Sequence, residues 1–401
     1  ILNCAAACIY LYGQVVALCK KSLCAILAGV VSFFLSVSAA PAAFAEGGPQ
    51  VSAQAAIVIH ADSGKVLYEK NADEQRSMAS TTKIMTALIA LETAAADDPV
   101  VTITDEMVRV EGSSMGLQPG DQLTLKSLAA GMLIVSGNDA ANSAAIAISG
   151  STEAFAEKMN QRAQELGMEH THFVTPSGLD DDAHYSTARD MATLAAAAMK
   201  NPDFAAIVGQ KAMNISFITQ DQTRRYTNHN KLLNLYEGCT GVKTGFTKKS
   251  GRCLVSAAER DGIRLIAVTL NAPDDWNDHM ALLNDGFSKL ECYPVDDSGY
   301  MASLPATGGL ARSGQVRGSA GEAAVIPRGA AERVRRIVEL PRFVYAPVME
   351  QQAVGRVRYI LDGQEIAETV LTAQGCAEQT PREKSLWERL VEAVRTFFQI
   401  E

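Results

Sequence analysis

The stretch Arg76-Ser77-Met78-Ala79-Ser80-Thr81-Thr82-Lys83-Ile84-Met85-Thr86 decides how this chain is read. A serine followed three residues later by a lysine, at the start of a helix, sets a hydroxyl and an amine on one face. A neutral lysine placed there can take the serine's proton and make its oxygen a nucleophile. Alone, Ser-x-x-Lys is common and marks an exposed helical turn. Ser136-Gly137-Asn138 and Lys243-Thr244-Gly245 follow it in that order. By itself each of these is a turn or a strand end. Together the three segments supply what acyl transfer needs: a nucleophile, a base, a relay hydroxyl, an amide and a second cation.

The ordered trio resembles the active-site serine penicillin-recognising enzymes. Longer segments narrow the resemblance. The opening stretch, Ser136-Gly137-Asn138-Asp139-Ala140, His184-Tyr185-Ser186-Thr187-Ala188-Arg189-Asp190-Met191 and Gly241-Val242-Lys243-Thr244-Gly245-Phe246-Thr247 are similar to the low-molecular-mass D-alanyl-D-alanine carboxypeptidases of the peptidase S11 type. The likeness covers roughly residues 50 to 375. It implies Ser80 as nucleophile, Lys83 as general base and Ser136 as proton relay towards the leaving amine. It implies Asn138 as the holder of the substrate's backbone amide. Lys243, Thr244 and Gly245 read as an edge strand, and the likeness implies Lys243 and Thr244 as the holders of the terminal carboxylate. It implies the N–H groups of Ser80 and Phe246 as the oxyanion hole. The implied reaction is release of the terminal D-alanine from peptidoglycan stem peptides through an acyl-enzyme, with β-lactams as acylating inhibitors and with neither metal nor cofactor.

Two rivals share parts of this pattern. A class A β-lactamase carries the same trio, but such enzymes also have a Glu-x-x-x-Asn loop that places a deacylating water. None of Glu153, Glu157, Glu165, Glu169 and Glu237 has Asn four residues on. A catalytically silent wall-binding or penicillin-sensing protein is the other rival, and the intact motifs argue against it.

Lys20 and Lys21 precede an apolar run from Leu23 to Val37, and Ala43-Phe44-Ala45 fits a small-x-small cleavage site. Residues 1–45 therefore read as an export signal, and because the chain opens at Ile1 without a methionine, 1–19 also read as a mis-assigned start. That places the mature protein at the outer face of the cytoplasmic membrane or in the cell wall. Losing the two leader lysines takes the net charge from −9 to −11, a poor match to nucleic acid. Of eight cysteines, four leave with the leader. Cys239, Cys253, Cys292 and Cys376 remain and read as free structural thiols, with Cys253 facing the region of Thr244 rather than Cys239. His170-x-His172 has metal-ligand spacing but no evident third ligand. Asp180-Asp181-Asp182 reads as a solvated loop, and His184 and Asp190 as residues that order a loop and cap a helix. His229 stays unassigned.

Ala55 to His60 and Lys65 to Glu69 read as a hairpin, and a helix begins near Ser80. Leu125 to Ile148 reads as buried helices around Ser136, followed by helices over Thr152 to Leu166 and Thr187 to Met199. Cys239 to Phe246, Gly251 to Ala258 and Ile263 to Leu270 read as strands. Strands at both ends with helices between them predict an antiparallel sheet closed by the two ends of the chain, beside an all-helical lobe. This suits an α/β (α+β) transpeptidase-like catalytic domain over 46–293. A small all-β domain over 294–376 follows, with a hairpin around Asp362-Gly363. Over 377–401, Leu386, Trp387, Leu390, Val391, Val394, Phe397 and Phe398 share one helical face. That face suits an anchor lying in the membrane interface, or a helix packed on its own domain.

Overall fold

The computed structural model describes residues 48–219, 221–375 and 385–398. The expected leader and Cys376 lie outside the described residues.

The chain opens with β1 (Ala55–His60) and β2 (Val66–Lys70), then a 3₁₀ turn at Ala79–Thr82 that runs into α1 (Lys83–Ala94). The short β3 (Val100–Thr102), α2 (Asp105–Val108) and β4 (Gln122–Thr124) lead to α3 (Leu125–Ile134), α4 (Asn138–Ser149) and α5 (Thr152–Glu165). Next come α6 (Ala188–Met199), α7 (Pro202–Val208), the hairpin β5 (Ala212–Phe217) and β6 (Gln222–Thr227), and α8 (Leu232–Leu235). Three long strands follow, β7 (Cys239–Thr247), β8 (Gly251–Arg260) and β9 (Ile263–Leu270), before α9 (Asp275–Ser288).

The main sheet has the order β2-β1-β9-β8-β7, so the first hairpin pairs with the last strands through β1 and β9, as the strand–helix–strand pattern predicts. The sheet is covered on both faces, which is why β1 reads as an unbroken apolar run rather than an alternating one. Ile57, Val255 and Val268 pack into the core shared with Ile84, Leu88, Leu128 and Met191, whereas Val58, Leu254 and Leu265 pack with Leu282 and Leu283 of α9. The helix starts follow local chemistry. Ser151 accepts from the Ala154 N–H at 3.1 Å and Thr187 from the Asp190 N–H at 3.0 Å.

The sequence placed a helix start at Ser80, but the α-helix begins at Lys83 and Ser80 sits in the 3₁₀ turn. Thr81 and Thr82 explain this. Their hydroxyls donate to the Met78 and Ala79 carbonyls at 2.6 and 2.7 Å, bonds that suit a tight i→i−3 turn. The β7–β8 register sets Cys253 against Gly245 and Cys239 against Ala258. Cys239, Cys253 and Cys292 are all free thiols.

A separate sheet-rich region follows α9. β10 (Leu290–Tyr293) pairs with β13 (Ala324–Pro327). β11 (Met301–Thr307), β12 (Ser313–Arg317), β14 (Arg335–Glu339), β15 (Val344–Tyr345), β16 (Ala353–Leu361) and β17 (Gln364–Gln374) form a six-stranded sheet in the order β14-β16-β17-β12-β11-β15. Its core includes Val295, Leu304, Val316, Val357, Tyr359 and Leu371. At its centre the buried Asp297 accepts from Tyr359 and Arg336 at 3.0 and 2.7 Å. The sequence pattern alone did not separate β11, β12 and β13 from the Gly-, Ala- and Ser-rich stretch that holds them. The last described element is α10 (Leu386–Phe398), where Leu386, Trp387, Leu390 and Val391 are exposed. No helix among the described residues is long and apolar enough to cross a membrane.

Candidate active site

Lys83 is the first residue of α1, and its side chain is fully buried. Its Nζ lies 2.9 Å from the Ser80 Oγ and 2.5 Å from the Ser177 carbonyl oxygen. Burial drives the Lys83 pKa well below its ordinary value, the neighbouring Lys243 lowers it further, and Asp139 opposes both. A neutral amine donates to the Ser177 carbonyl and still has a lone pair to receive the Ser80 proton. The half-buried Ser80 hydroxyl therefore lies beside an amine able to accept its proton.

Lys243 lies on β7, the edge strand of the main sheet, and is 1 % exposed. Burial brings its pKa down to about 7, and its Nζ donates to the Thr244 carbonyl at 2.8 Å. Gly245 lets this strand approach the Ser80 turn. A Cβ there would stand 3.0 Å from the Ser80 nitrogen and 3.1 Å from the Met78 carbonyl oxygen. Phe246 follows on the strand with an exposed side chain, opposite Arg252 of β8.

Ser136 occupies the break between α3 and α4, buried and with φ +62°. Among the described residues no hydrogen bond joins it to Ser80 or Lys83. Asn138 opens α4 and is 4 % exposed; its Nδ2 donates to the Glu111 carbonyl at 2.6 Å, and its buried Oδ1 has no partner among the described residues. A buried amide oxygen left unpaired is costly, and a ligand N–H would satisfy it. The His229 N–H donates to the Ile134 carbonyl at 3.1 Å, which ties its loop to the end of α3.

Several supporting residues have no sequence signature. Asp139 is buried, and its carboxylate accepts from the N–H groups of Met115, Gly116 and Leu117 at 3.0 to 3.1 Å and from the Ser114 hydroxyl. It thereby fastens the segment 114–117 over the start of α4. Opposite, the segment 174–184 is held by His184 and α1. The His184 Nδ1 accepts from the Val174 N–H at 2.9 Å, so its Nε2 carries the proton and donates to Thr82 Oγ1 at 2.8 Å. Burial lowers the His184 pKa to about 4, so the ring is neutral. Thr86 donates to the Pro176 carbonyl at 2.6 Å, and Lys83 to its neighbour Ser177. His184 thus orders a loop, as expected. Asp190 does more than sit in a capped turn, because its carboxylate accepts from the His170 N–H and the Thr171 hydroxyl at 2.9 and 2.6 Å. Asp180 is not merely solvated; it accepts from the Thr247 hydroxyl at 2.8 Å.

Residues 42–274 match the D-alanyl-D-alanine carboxypeptidase family, peptidase S11. Among curated proteins, D-alanyl-D-alanine carboxypeptidase DacF of Bacillus subtilis is 32 % identical over 374 residues, covering 88 % of this chain and 94 % of that protein. DacC of Escherichia coli is 36 % identical over 368 residues, covering 85 % and 89 % respectively. Among solved structures, penicillin binding protein 5 from Haemophilus influenzae superposes with a TM-score of 0.61 at 30 % identity, covering 84 % of this chain and all of that one. The Streptomyces K15 DD-transpeptidase covers 60 % of this chain and 99 % of its own, with a TM-score of 0.57 at 36 % identity. The family match spans more than half of the residues and includes all three motifs, so the chain belongs to the D-alanyl-D-alanine carboxypeptidases of the peptidase S11 family.

Proposed function

We propose that this enzyme removes the terminal D-alanine from peptidoglycan stem peptides through an acyl-enzyme on Ser80, and that β-lactams acylate the same oxygen. The observation that carries the proposal is the 2.9 Å contact between Ser80 Oγ and the buried Lys83 amine, beside a second buried lysine. Lys83 takes the hydroxyl proton as Ser80 attacks the carbonyl between the two D-alanines. Ser136 passes the proton to the leaving amine, and the C–N bond breaks as D-alanine departs. Water then attacks the ester and restores Ser80. The extended substrate adds to the edge of β7, where main-chain pairing gives affinity and Lys243 and Thr244 bind the carboxylate. The free Asn138 Oδ1 accepts the substrate's backbone N–H. The N–H groups of Ser80 and Phe246 hold the developing oxyanion, each typically worth ~3 kcal/mol. Digestion of defined muropeptides with mass analysis of the products tests this reading. Loss of one alanine from pentapeptide stems is the expected result, and unchanged stems would refute it.

Acylation requires Lys83 neutral and carboxylate binding requires Lys243 charged. Burial depresses both amines and the charge of Lys243 depresses Lys83 in addition, so Lys83 is the first of the two to lose its proton and a pH window opens in which both conditions hold. We expect kcat/KM to fall at low pH as Lys83 takes a proton, and to fall above about 7 as Lys243 loses one. Lys243→Arg should move the alkaline limb upward, which a pH–rate profile on a dipeptide ester would read.

No glutamate carries the Glu-x-x-x-Asn pattern that would place a deacylating water, so penicillin should give a stoichiometric burst followed by little turnover. Rapid multiple-turnover clearance would favour a β-lactamase.

The same reading includes export by cleavage near Ala45, a catalytic domain ending near residue 293 and a β domain ending near 376. It also includes attachment to the outer face of the membrane by the apolar face of α10. Burial of each of its large apolar side chains contributes about 1 to 2 kcal/mol before ordering costs, enough for peripheral attachment. Truncation before Pro381 should therefore release the mature protein from liposomes in a flotation assay without loss of activity on a soluble peptide.

A further inference from the structure

The six-stranded sheet carries a group of apolar side chains that its core does not use. Leu310 lies in the turn between β11 and β12, and Phe343, Tyr345 and Met349 lie in and beside β15. They are 63 %, 46 %, 71 % and 63 % exposed. They share one end of the sheet. Tyr345 is set against Thr307, the last residue of β11, and Phe343 and Tyr345 meet edge to face with centroids 5.3 Å apart. Their chain neighbours Ala306, Ala311, Val344 and Val348 line a cavity of about 180 Å³ together with Ala373 and Gly375. Gly375 is where the described sheet region ends and the chain continues towards α10.

We propose that Leu310, Phe343, Tyr345 and Met349 form a second apolar footprint that enters the interface of an anionic lipid bilayer alongside α10. The proposal rests on the reading of α10 as a membrane helix. Three observations select lipid over other occupants. The residues are aromatic and aliphatic with basic neighbours, Arg312 and Arg342, against the single acid Glu350 in the same two segments. Aromatic rings set among cations suit a headgroup layer. Second, the patch is small. Four side chains offer roughly 400 to 600 Å², short of the ~800 Å² per partner that a stable dimer buries. Third, it sits where the chain leaves for the helix. Ten residues separate Gly375 from Leu386, so the helix starts within about 40 Å of the Gly375 end of the sheet. Binding of one then raises the effective concentration of the other at the same surface.

The test uses the chain from residue 46 to 401 and 3:1 phosphatidylcholine–phosphatidylglycerol vesicles, with and without bromine on the acyl chains. Tyr345→Trp in a Trp387→Phe background reports the patch, Trp387 in the natural chain reports the helix, and Trp387→Phe alone gives the Trp276 background. Bromolipid quenching of the Tyr345→Trp indole is expected. Phe343→Ser combined with Tyr345→Ser should weaken vesicle partitioning by about tenfold or more, with activity on a soluble peptide and thermal midpoint unchanged. If Trp387 is quenched and the Tyr345→Trp indole is not, the helix binds and the patch proposal is wrong. If that indole is quenched and Trp387 is not, the patch binds lipid by itself, and both the helix reading and the proposal of a footprint acting alongside α10 fall. No partitioning by any form refutes both. Unchanged partitioning by the double serine variant, together with a lower sedimenting mass than the natural chain, would identify the patch as a self-association surface and overturn the proposal. Protection of the patch by α10 itself would do the same, and would show as quenching that appears only after truncation before Pro381.

Discussion

Ser80→Ala is expected to end both D-alanine release and covalent labelling by penicillin, lowering the rate by about 10⁴-fold or more while the protein stays folded. The hydroxyl is the only atom lost. The turn that carries it is held by the bonds of Thr81 and Thr82 to Met78 and Ala79, none of which involves the Ser80 side chain. Lys83→Met is the companion variant. It keeps the length and most of the volume of the buried stem, so the core stays filled. It removes the proposed base and leaves the Ser177 carbonyl without the amine that now bonds to it. The cost in stability should be about 1 to 3 kcal/mol, while acylation should fall by at least about 10²- to 10⁴-fold. Intact-mass measurement after incubation with a penicillin reads both variants directly. A penicilloyl adduct on Ser80→Ala would refute the assignment of the nucleophile. Rapid acylation of Lys83→Met would move the role of base to another group.

The parts of this site that were legible in the sequence are those whose chemistry lies in contiguous side chains. Ser80 and Lys83 are three residues apart, and that spacing juxtaposes them in a 3₁₀ turn as well as in an α-helix. The mistaken helix start therefore left the pairing intact. The closure of the sheet by β1 against β9 was legible because strands at both ends of the chain leave few ways to bury their apolar faces. The two-residue turn at Asp362-Gly363 was legible because both residues tolerate positive φ, observed as +51° and +86°. The groups that tune the site were not. The partner of Lys83 is a main-chain oxygen of Ser177, and a carbonyl has no residue-type signature. Asp139 acts on backbone N–H groups more than 20 residues away in sequence, so its position beside Asn138 says nothing of what it holds. The strands β11 and β12 hid for a different reason. Their Ser, Gly and Ala residues have weak strand preference, and the ladder to β17, not local propensity, fixes them.

Gly178→Ala should lower acylation by about 100-fold or more, although Gly178 carries no reactive group. A Cβ at this position would stand 2.0 Å from the Ala79 carbonyl oxygen and 2.7 Å from Thr82 Oγ1. The first of these is main chain and cannot swing aside. Its φ of +81° adds the strain of a left-handed conformation for a residue with a side chain. Relief requires the segment 174–184 and the Ser80 turn to separate. They are joined at the places that matter, because Ser177, next to Gly178, takes the Lys83 bond and Ala79, next to Ser80, takes the Thr82 bond. A shift of about 1 Å between nucleophile and base is enough for a loss of this size. Overpacking and strain together should cost about 2 to 4 kcal/mol of stability. Gly64→Ala separates the two contributions. Gly64 also has positive φ, at +68°, but a Cβ there meets nothing within 4 Å. It should lose about 1 kcal/mol and no activity. Second-order acylation rates with a fluorescent penicillin, measured at a temperature where both variants are folded, give the comparison. Equal rates for Gly178→Ala and the natural chain would mean that the loop does not hold the Ser80–Lys83 pair in register.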